Sequence, residues 1–167
     1  MAAFEPSKSF ANLQLKQVEA SHVKKNDFVL VEGFPCKIAS VLLSKTGKHG
    51  SRKAHITGLD VLSKKKYTFV GSGATMLHTF KPEKSELVVI GIEMKDHRLD
   101  CLNDVLQTCF VSASEEQCKL AEQLQSNEAN ETKTVVVKVV RVPKIVNSKA
   151  AIPEFELMES VDEIRLN

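Results

Sequence analysis

The sequence predicts a mainly β protein built from two small barrels. Short apolar runs with strand-like alternation recur along the 167 residues, and a single stretch has the signature of a helix. Charge also divides the chain, because residues 1–82 contain 13 Lys and Arg against 5 Asp and Glu, whereas residues 83–167 contain 10 against 16. A basic half followed by an acidic half predicts two domains with different partners. The basic one is a candidate for binding nucleic acid.

The composition is that of an ordinary globular protein, with 43% hydrophobic and 26% charged residues and no apolar run of membrane-spanning length. The N-terminal residues lack a basic region followed by an apolar segment, so we expect no secretory signal and a cytoplasmic location. The cysteines form no C-x-x-C pair, and we expect reduced core thiols and no metal site. These cysteines are Cys36, Cys101, Cys109 and Cys118.

The first half predicts a flexible tail over residues 1–12 and a domain over 13–82 made of five or six short strands. Close spacing of the strands and the lack of a convincing helix indicate a small barrel. The strands are predicted over 13–18, 28–31, 34–43, 53–59 and 66–70. A polar turn at 60–65 and a loop at 71–74 separate the last elements, and a charged linker with Pro82 follows.

The second half, residues 83–167, predicts strands over 86–93, 98–102 and 105–111, then a helix. Ser114 and Gln117 have the spacing of a capping box at the start of that helix. A strong strand over 132–142 follows, and this order suits a five-stranded Greek-key barrel of the oligonucleotide-binding type. We expect Pro143 to end the strand, and residues 154–158 to form one more strand before an acidic tail.

The most distinctive stretch is residues 44–53, in which Gly47 and Gly50 flank Lys48 and no acidic residue is present. Glycine allows the backbone to turn through positive φ and keeps both sides of Lys48 bare. Strands on either side predict a long hairpin whose tip presents this lysine. Three more cations, Lys45, Arg52 and Lys53, indicate an anionic partner, which could be RNA, DNA or a phospholipid surface.

Enzymatic interpretations of this stretch find little support. A phosphate-binding P-loop needs a glycine five residues before Gly47 and a Ser or Thr after the lysine, but Leu42 and His49 occupy those positions. The five histidines have no metal spacing, and no catalytic triad can be argued, so we predict no catalytic residue. An enzyme that uses Lys48 as a nucleophile is a further alternative. The lysines at 64–66 are either a solvated turn or a supporting contact to phosphates.

The motif Lys45-Thr46-Gly47-Lys48-His49-Gly50, with the sequences at 24–29, 35–38, 58–61 and 64–67, resembles the eukaryotic translation initiation factor 5A family. This family is related to archaeal factor 5A and bacterial elongation factor P. The resemblance runs from about Val18 to Tyr67. It implies an SH3-like N-terminal barrel over 13–82 that carries the lysine loop, and a C-terminal OB-fold over 83–167 with one helix.

The resemblance also implies a function. Lys48 would be converted to hypusine, with deoxyhypusine synthase transferring an aminobutyl group from spermidine and deoxyhypusine hydroxylase adding a hydroxyl. The modified factor would bind the ribosome beside peptidyl-tRNA and promote peptide-bond formation at stalling sequences, such as proline runs, and termination. It would be neither an enzyme nor a membrane protein and would need no cofactor. The expected contact residues are Lys45, Thr46, Gly47, His49, Gly50, Ser51, Arg52 and Lys53.

Besides the enzyme, a second alternative function stays open, and two features depart from the family pattern. The alternative is a general RNA-binding module that acts through an unmodified basic loop. The first departure is Ser51-Arg52, where the family usually has His-Ala. The second is the stretch from Pro143 to Asn167, where the family predicts a short helical end.

Overall fold

The structure is a computed structural model that describes residues 11–45, 52–147 and 152–167. The chain forms two compact units. The N-terminal unit contains the described residues of 11–82 and 142–158, and the C-terminal unit contains 83–141 and 159–167. The predicted second domain, 83–167, is thus divided, because its residues 142–158 cluster with the first unit.

Six antiparallel strands form the sheet of the N-terminal unit, in the order β1-β6-β2-β3-β4-β5. A turn of 3-10 helix precedes the first strand, so the strand predicted to start at residue 13 begins three residues later. The strands are β1 (Lys16–Glu19), β2 (Phe28–Val31), β3 (Phe34–Lys45), β4 (Arg52–Asp60), β5 (Lys66–Ser72) and β6 (Met76–Thr79).

The core of this unit lies where β2, β3 and β4 pair. Val29 is directly opposite Cys36, and both are fully buried. Gly58 of β4 faces the same cysteine, and a Cβ at Gly58 would lie 2.6 Å from the Cβ of Cys36. The two strands can therefore approach this closely only because position 58 has no side chain. The buried cluster comprises Ala20, Val23, Val29, Val31, Cys36, Ile38, Ala54 and Ile56.

Two turns fix the ends of these strands. Glu32 and Gly33 join β2 to β3 with φ values of 53° and 84°, which is the pattern of a two-residue type I′ hairpin. Asp60, at the end of β4, is buried, and its carboxylate accepts hydrogen bonds from the amides of Leu62 and Ser63 at 2.8 and 3.1 Å. The polar turn predicted at 60–65 is built on this side chain.

The described residues also form a second sheet, of five strands in the order β11-β10-β7-β8-β9, and one α-helix. Ser114 and Gln117 form the predicted capping box, because each side chain bonds the other residue's amide. The helix buries Cys118 and Ala121 against the sheet. The elements are β7 (Glu83–Glu93), β8 (Arg98–Leu102), β9 (Thr108–Ser112), α1 (Glu115–Ser126), β10 (Val135–Asn147) and β11 (Glu154–Leu166).

The last two strands are longer than the sequence predicts. The expectation that Pro143 ends β10 is wrong, since the strand continues to Asn147. Pairing with β7 stops at Arg141, opposite Glu83, so a proline two residues later removes no hydrogen bond from that ladder. The strand predicted over 154–158 is longer than expected, because β11 continues through the acidic residues that follow to Leu166. The end of the chain thus differs from the short helical end of the family, as the sequence indicated.

Residues 142–158 pack within the N-terminal unit through specific contacts. The amide of Ile145 donates to the carbonyl of Gly33 at 2.9 Å. Lys144 Nζ lies 4.9 Å from the ring centroid of Phe34. The ring of Phe34 also stacks on that of Tyr67, with 4.1 Å between the two ring centroids. This stretch is therefore attached at the β2–β3 turn.

The predicted fold class is confirmed. The described part of the chain is mainly β, with two sheets and one α-helix. The sequence missed β6, because Met76–Thr79 is a four-residue strand without clear alternation. All four cysteines are buried and free, as predicted for core thiols.

Candidate functional site

The hairpin of β3 and β4 carries the stretch that the sequence singles out. The two strands pair from Cys36↔Asp60 to Lys45↔Arg52, with a bulge between Ile38 and Ser40. The pattern of burial changes along β3, since its first half alternates into the core and its last four residues are exposed. The hairpin thus starts in the core and ends in solvent.

The solvent end of this hairpin, which we call the neck, consists of Ser44, Lys45, Arg52 and Lys53. Lys45 and Arg52 are direct cross-strand partners, and both are exposed. Like charges in directly opposite positions destabilise a sheet. The ion pairs among the described residues involve no cation of the neck. An anion bound between these two side chains would remove their repulsion.

The β5–β6 turn holds the β4 side of the neck in place. The amide of Gly73 donates to the carbonyl of Arg52 at 2.7 Å, and the carbonyl of Gly73 accepts from the amide of Ser21 at 2.9 Å. A Cβ at Gly73 would lie 3.1 Å from the Cβ of Ser21 and 3.2 Å from the Arg52 oxygen. The first residue of β4 is therefore fixed by backbone contacts, while its guanidinium remains in solvent.

A polar face extends from the neck along β3, β4 and β5. Register and alternation place one set of side chains from the three strands on the solvent side, and we call this set the outer face. Its members are Lys37, Ser40, Leu42, Ser44, Lys53, His55, Thr57, Leu59, Lys66, Thr68, Val70 and Ser72.

The outer face contains cations and hydroxyl groups but no carboxylate. Asp60 is the one acidic residue in the three strands, and it is buried and directed into its own turn. Leu42 and Val70 flank His55 in one row and are 66% and 51% exposed. A surface with hydroxyl donors, cations and a few apolar side chains suits the backbone and bases of a nucleic acid.

The lysines at 64–66 are remote from the neck. They follow the opposite end of β4, and at about 3.3 Å per residue the length of this strand separates the two ends by about 25 Å. Lys64 has φ 64° and donates its Nζ to the carbonyl of Val61 at 2.9 Å. These lysines cannot contact the same phosphate as the neck.

Comparison with known proteins supports the resemblance seen in the sequence. Residues 14–73 match the family model described as "Translation initiation factor 5A-like, N-terminal". This segment is therefore similar to the N-terminal domain of that family. The match covers β1 to β5 and includes the whole β3–β4 hairpin with the segment between its strands.

Two curated relatives have the same resemblance over part of their length. Eukaryotic translation initiation factor 5A of Dictyostelium discoideum is 36% identical over 76 residues, which are 46% of this chain and 48% of that protein. The protein of the same name from Spodoptera exigua is 48% identical over 50 residues, which are 30% of this chain and 31% of that protein. The chain thus matches less than half the length of these relatives.

Solved structures extend the likeness to both sheets. A translation initiation factor eif-5a family protein from Naegleria fowleri has a TM-score of 0.64 at 25% identity, covering 90% of this chain and 98% of that one. Eukaryotic translation initiation factor 5A from Methanococcus jannaschii has a TM-score of 0.53 at 19% identity, with 97% and 100% covered, and shows the fold alone. The initiation factor 5A resemblance predicted from the sequence is confirmed.

Part of the predicted site lies outside the described residues. Lys45, Arg52 and Lys53 are placed by the structure at the neck. The chain segment that joins them contains the lysine predicted to be modified. The predicted residues outside the described part are Thr46, Gly47, Lys48, His49, Gly50 and Ser51.

Sequence reasoning missed the outer face. Lys37, His55 and Lys66 fall in separate strands, and only the register of β3, β4 and β5 places them on one surface. The available signal was the near absence of acidic residues between positions 34 and 72, which contain Asp60 alone. Within the described ranges, no group of three His, Cys, Asp or Glu side chains could hold a metal ion. The helices of those ranges are too short or too polar to span a bilayer.

Proposed function

We propose that this chain is a cytoplasmic translation factor that acts on the ribosome through a modified Lys48. The observation that carries the proposal is the family match over residues 14–73, which includes the hairpin that carries this lysine. The exposed cations at the neck support an anionic partner at the same end of the hairpin. Peptidyl-tRNA beside the ribosomal P site is the partner that the family implies.

Hypusine on Lys48 is the modification we propose, made by deoxyhypusine synthase with spermidine and completed by deoxyhypusine hydroxylase. The longer side chain with a second amine would reach the acceptor end of a tRNA. Lys45 and Arg52 would contact neighbouring phosphates, which also relieves their mutual repulsion. The ribosome catalyses peptide-bond formation, and the factor contributes positioning of the reacting ends at stalling sequences and during termination. No cofactor is required.

Peptide mass spectrometry of the protein purified from its native host tests the modification. We expect an aminobutyl group and a hydroxyl on Lys48 and none on Lys45 or Lys53. Lys48→Arg is expected to retain the fold and lose support of proline-run synthesis, while the matched variant Lys45→Arg retains both. An unmodified Lys48 in growing cells would contradict the proposal.

A second candidate function is RNA binding without modification, and the outer face favours it. Lys37, Lys53 and Lys66 are exposed on this face, which contains no carboxylate. Unmodified protein from a bacterial host is the appropriate sample. In this sample, Lys37→Glu and Lys66→Glu should weaken the binding of a structured RNA as much as Arg52→Glu does. If they do, and if Lys48→Arg also supports normal synthesis through proline runs in cells, RNA binding without modification replaces the first candidate.

A further inference from the structure

Two thiols of the C-terminal unit face each other across neighbouring strands. Cys101 of β8 and Cys109 of β9 are directly opposite in the antiparallel register. Both are buried, with 0% and 3% of their surfaces exposed. We propose that this pair is a reversible disulfide site, which remains reduced while the sheet is closed and is oxidised by small disulfides when the β8–β9 hairpin opens.

The hydrogen bonds of the hairpin fix the backbone geometry of the pair. The amide of Asn103 donates to the carbonyl of Gln107 at 3.0 Å, which makes 103 and 107 a hydrogen-bonded pair. Such pairs alternate along an antiparallel ladder, so Cys101 and Cys109, two residues further on, also form one. Their Cα atoms are then about 5.5 Å apart, within the range of about 4.4 to 6.8 Å found for disulfides.

The same geometry indicates a bond that is easily reduced. Cβ atoms of directly opposite residues lie about 4.5 to 5.5 Å apart and are closer in pairs without hydrogen bonds. A disulfide needs a Cβ–Cβ distance of about 3.5 to 4.5 Å, so the hydrogen-bonded pair must close by about 1 Å or more. Strain of this kind raises the reduction potential of a disulfide and makes it labile. The site is therefore suited to reversible oxidation rather than to permanent cross-linking.

The closed sheet protects both thiols. Burial raises the pKa of Cys101 to about 12, and the neighbouring Cys109 and Asp100 act in the same direction. Burial also raises the pKa of Cys109, and the nearby Arg141 opposes that effect. Because the thiolate is the reactive form, oxidation requires opening of the strands.

The oxidant is a small disulfide of the glutathione class. Either thiolate, for example that of Cys109, attacks one sulfur of this disulfide, forms a mixed disulfide and releases one small thiolate. The Cys101 thiolate then attacks the sulfur of Cys109 and releases the second small thiolate. The two protons that leave the cysteines are taken up by the two released thiolates. The protein loses two electrons and two protons, and the small disulfide is reduced to two thiols.

A third core thiol provides an internal comparison. Cys118 of α1 belongs to the same buried cluster as Cys101 and Cys109 but lies on the helix, outside the ladder. Random oxidation of an opened core would involve Cys118 as often as the other two. Oxidation directed by strand register joins Cys101 to Cys109.

The test uses the full reduced chain and an excess of oxidised glutathione, with and without urea below the unfolding transition. Remaining thiols are then alkylated, and the chain is cleaved before Asp104 and after Glu115, which separates the three cysteines. We expect a Cys101–Cys109 cross-link that forms several-fold faster in urea and disappears with excess reduced glutathione. Far-UV circular dichroism should remain unchanged.

Variants of single cysteines make the assignment decisive. Cys118→Ala is expected to give the same cross-link at the same rate. Cys109→Ala is expected to give mixed glutathione adducts and no Cys101–Cys118 bond over the same period. The proposal would be overturned if the cross-links mainly involved Cys118. It would also be overturned if the wild-type chain formed mixed glutathione adducts that never resolved to a Cys101–Cys109 bond.

Discussion

Lys45 and Arg52 are direct partners in the last described pair of the β3–β4 ladder, and both side chains are exposed. Every other described pair of this hairpin contains at most one cation. Repulsion between these two side chains lowers the stability of the isolated protein. The arrangement is therefore explained best by an anionic ligand that binds between them. Reversing one of the two charges should therefore change stability and ligand binding in opposite directions.

Arg52→Glu replaces the repulsion by an attraction across the strands. We expect the free energy of unfolding of the protein to rise by about 0.5 to 1 kcal/mol, because opposite charges in directly opposed positions stabilise a sheet. RNA binding should weaken, and the slope of its logarithmic salt dependence should fall by about 1 for each phosphate that the variant no longer neutralises. Urea unfolding and binding titrations at several salt concentrations measure the two effects.

Lys133→Glu is the matched control, because Lys133 is an exposed lysine of the C-terminal unit. It should change neither the stability of the hairpin nor the salt slope beyond the small effect of net charge. A loss of stability in Arg52→Glu would contradict the repulsion between Lys45 and Arg52. An equal loss of RNA binding in both variants would show that the neck does not bind the anion.

Gly58→Ala tests the close approach of β3 and β4 in the core. The new Cβ would lie 2.6 Å from the Cβ of Cys36, which cannot rotate away. We expect a loss of about 1 to 3 kcal/mol in the free energy of unfolding, as for other overpacked cores. Gly91→Ala is the matched control, because its Cβ would meet no atom closer than the carboxylate of Asp100 at 3.3 Å and should cost less than about 1 kcal/mol. If denaturant unfolding showed equal losses of unfolding free energy in Gly58→Ala and Gly91→Ala, this account would be contradicted.

Local signals in the sequence predicted the structure well. The Ser114–Gln117 capping box was correct because both hydrogen bonds form within one turn of chain. The strand at Phe28–Val31 was correct because four apolar residues end at a turn with two positive φ values. The basic character of the hairpin likewise follows from its own composition.

Features set by distant partners could not be predicted. Pro143 is tolerated in β10 because pairing with β7 has already ended at Arg141, and this register cannot be read from the neighbours of the proline. The attachment of Ile145 at Gly33 joins residues that are more than a hundred positions apart. The outer face depends in the same way on three strands being in register.

Alkaline pH should destabilise the N-terminal unit through Cys36. Burial, and then the charge of Asp60, raise the pKa of this thiol from 9.0 to about 12. A raised pKa in the folded state means that the unfolded chain loses its proton first, so the stabilising contribution is complete below about pH 9 and is lost as the pH rises toward 12. Urea unfolding across this range measures the slope.

Cys36→Ala isolates the contribution of the thiol to that slope. The variant should be less stable at neutral pH because it leaves a small cavity, yet it should lose less stability on going to alkaline pH. Parallel pH profiles of wild type and variant would contradict the assignment to Cys36.

The β2–β3 turn should respond with opposite signs to changes at its two residues. Glu32 has φ 53°, which is unfavourable for a residue with a Cβ, so Glu32→Gly should stabilise the protein by about 0.5 to 1 kcal/mol. Gly33 has φ 84°, and a Cβ there would lie 3.2 Å from the carbonyl oxygen of Ile145, so Gly33→Ala should destabilise it by about 1 to 3 kcal/mol. Hydrogen exchange of the Ile145 amide, which donates to Gly33, should accelerate in the second variant and remain slow in the first. Unchanged exchange in Gly33→Ala would show that the 142–158 stretch does not depend on this turn for its attachment.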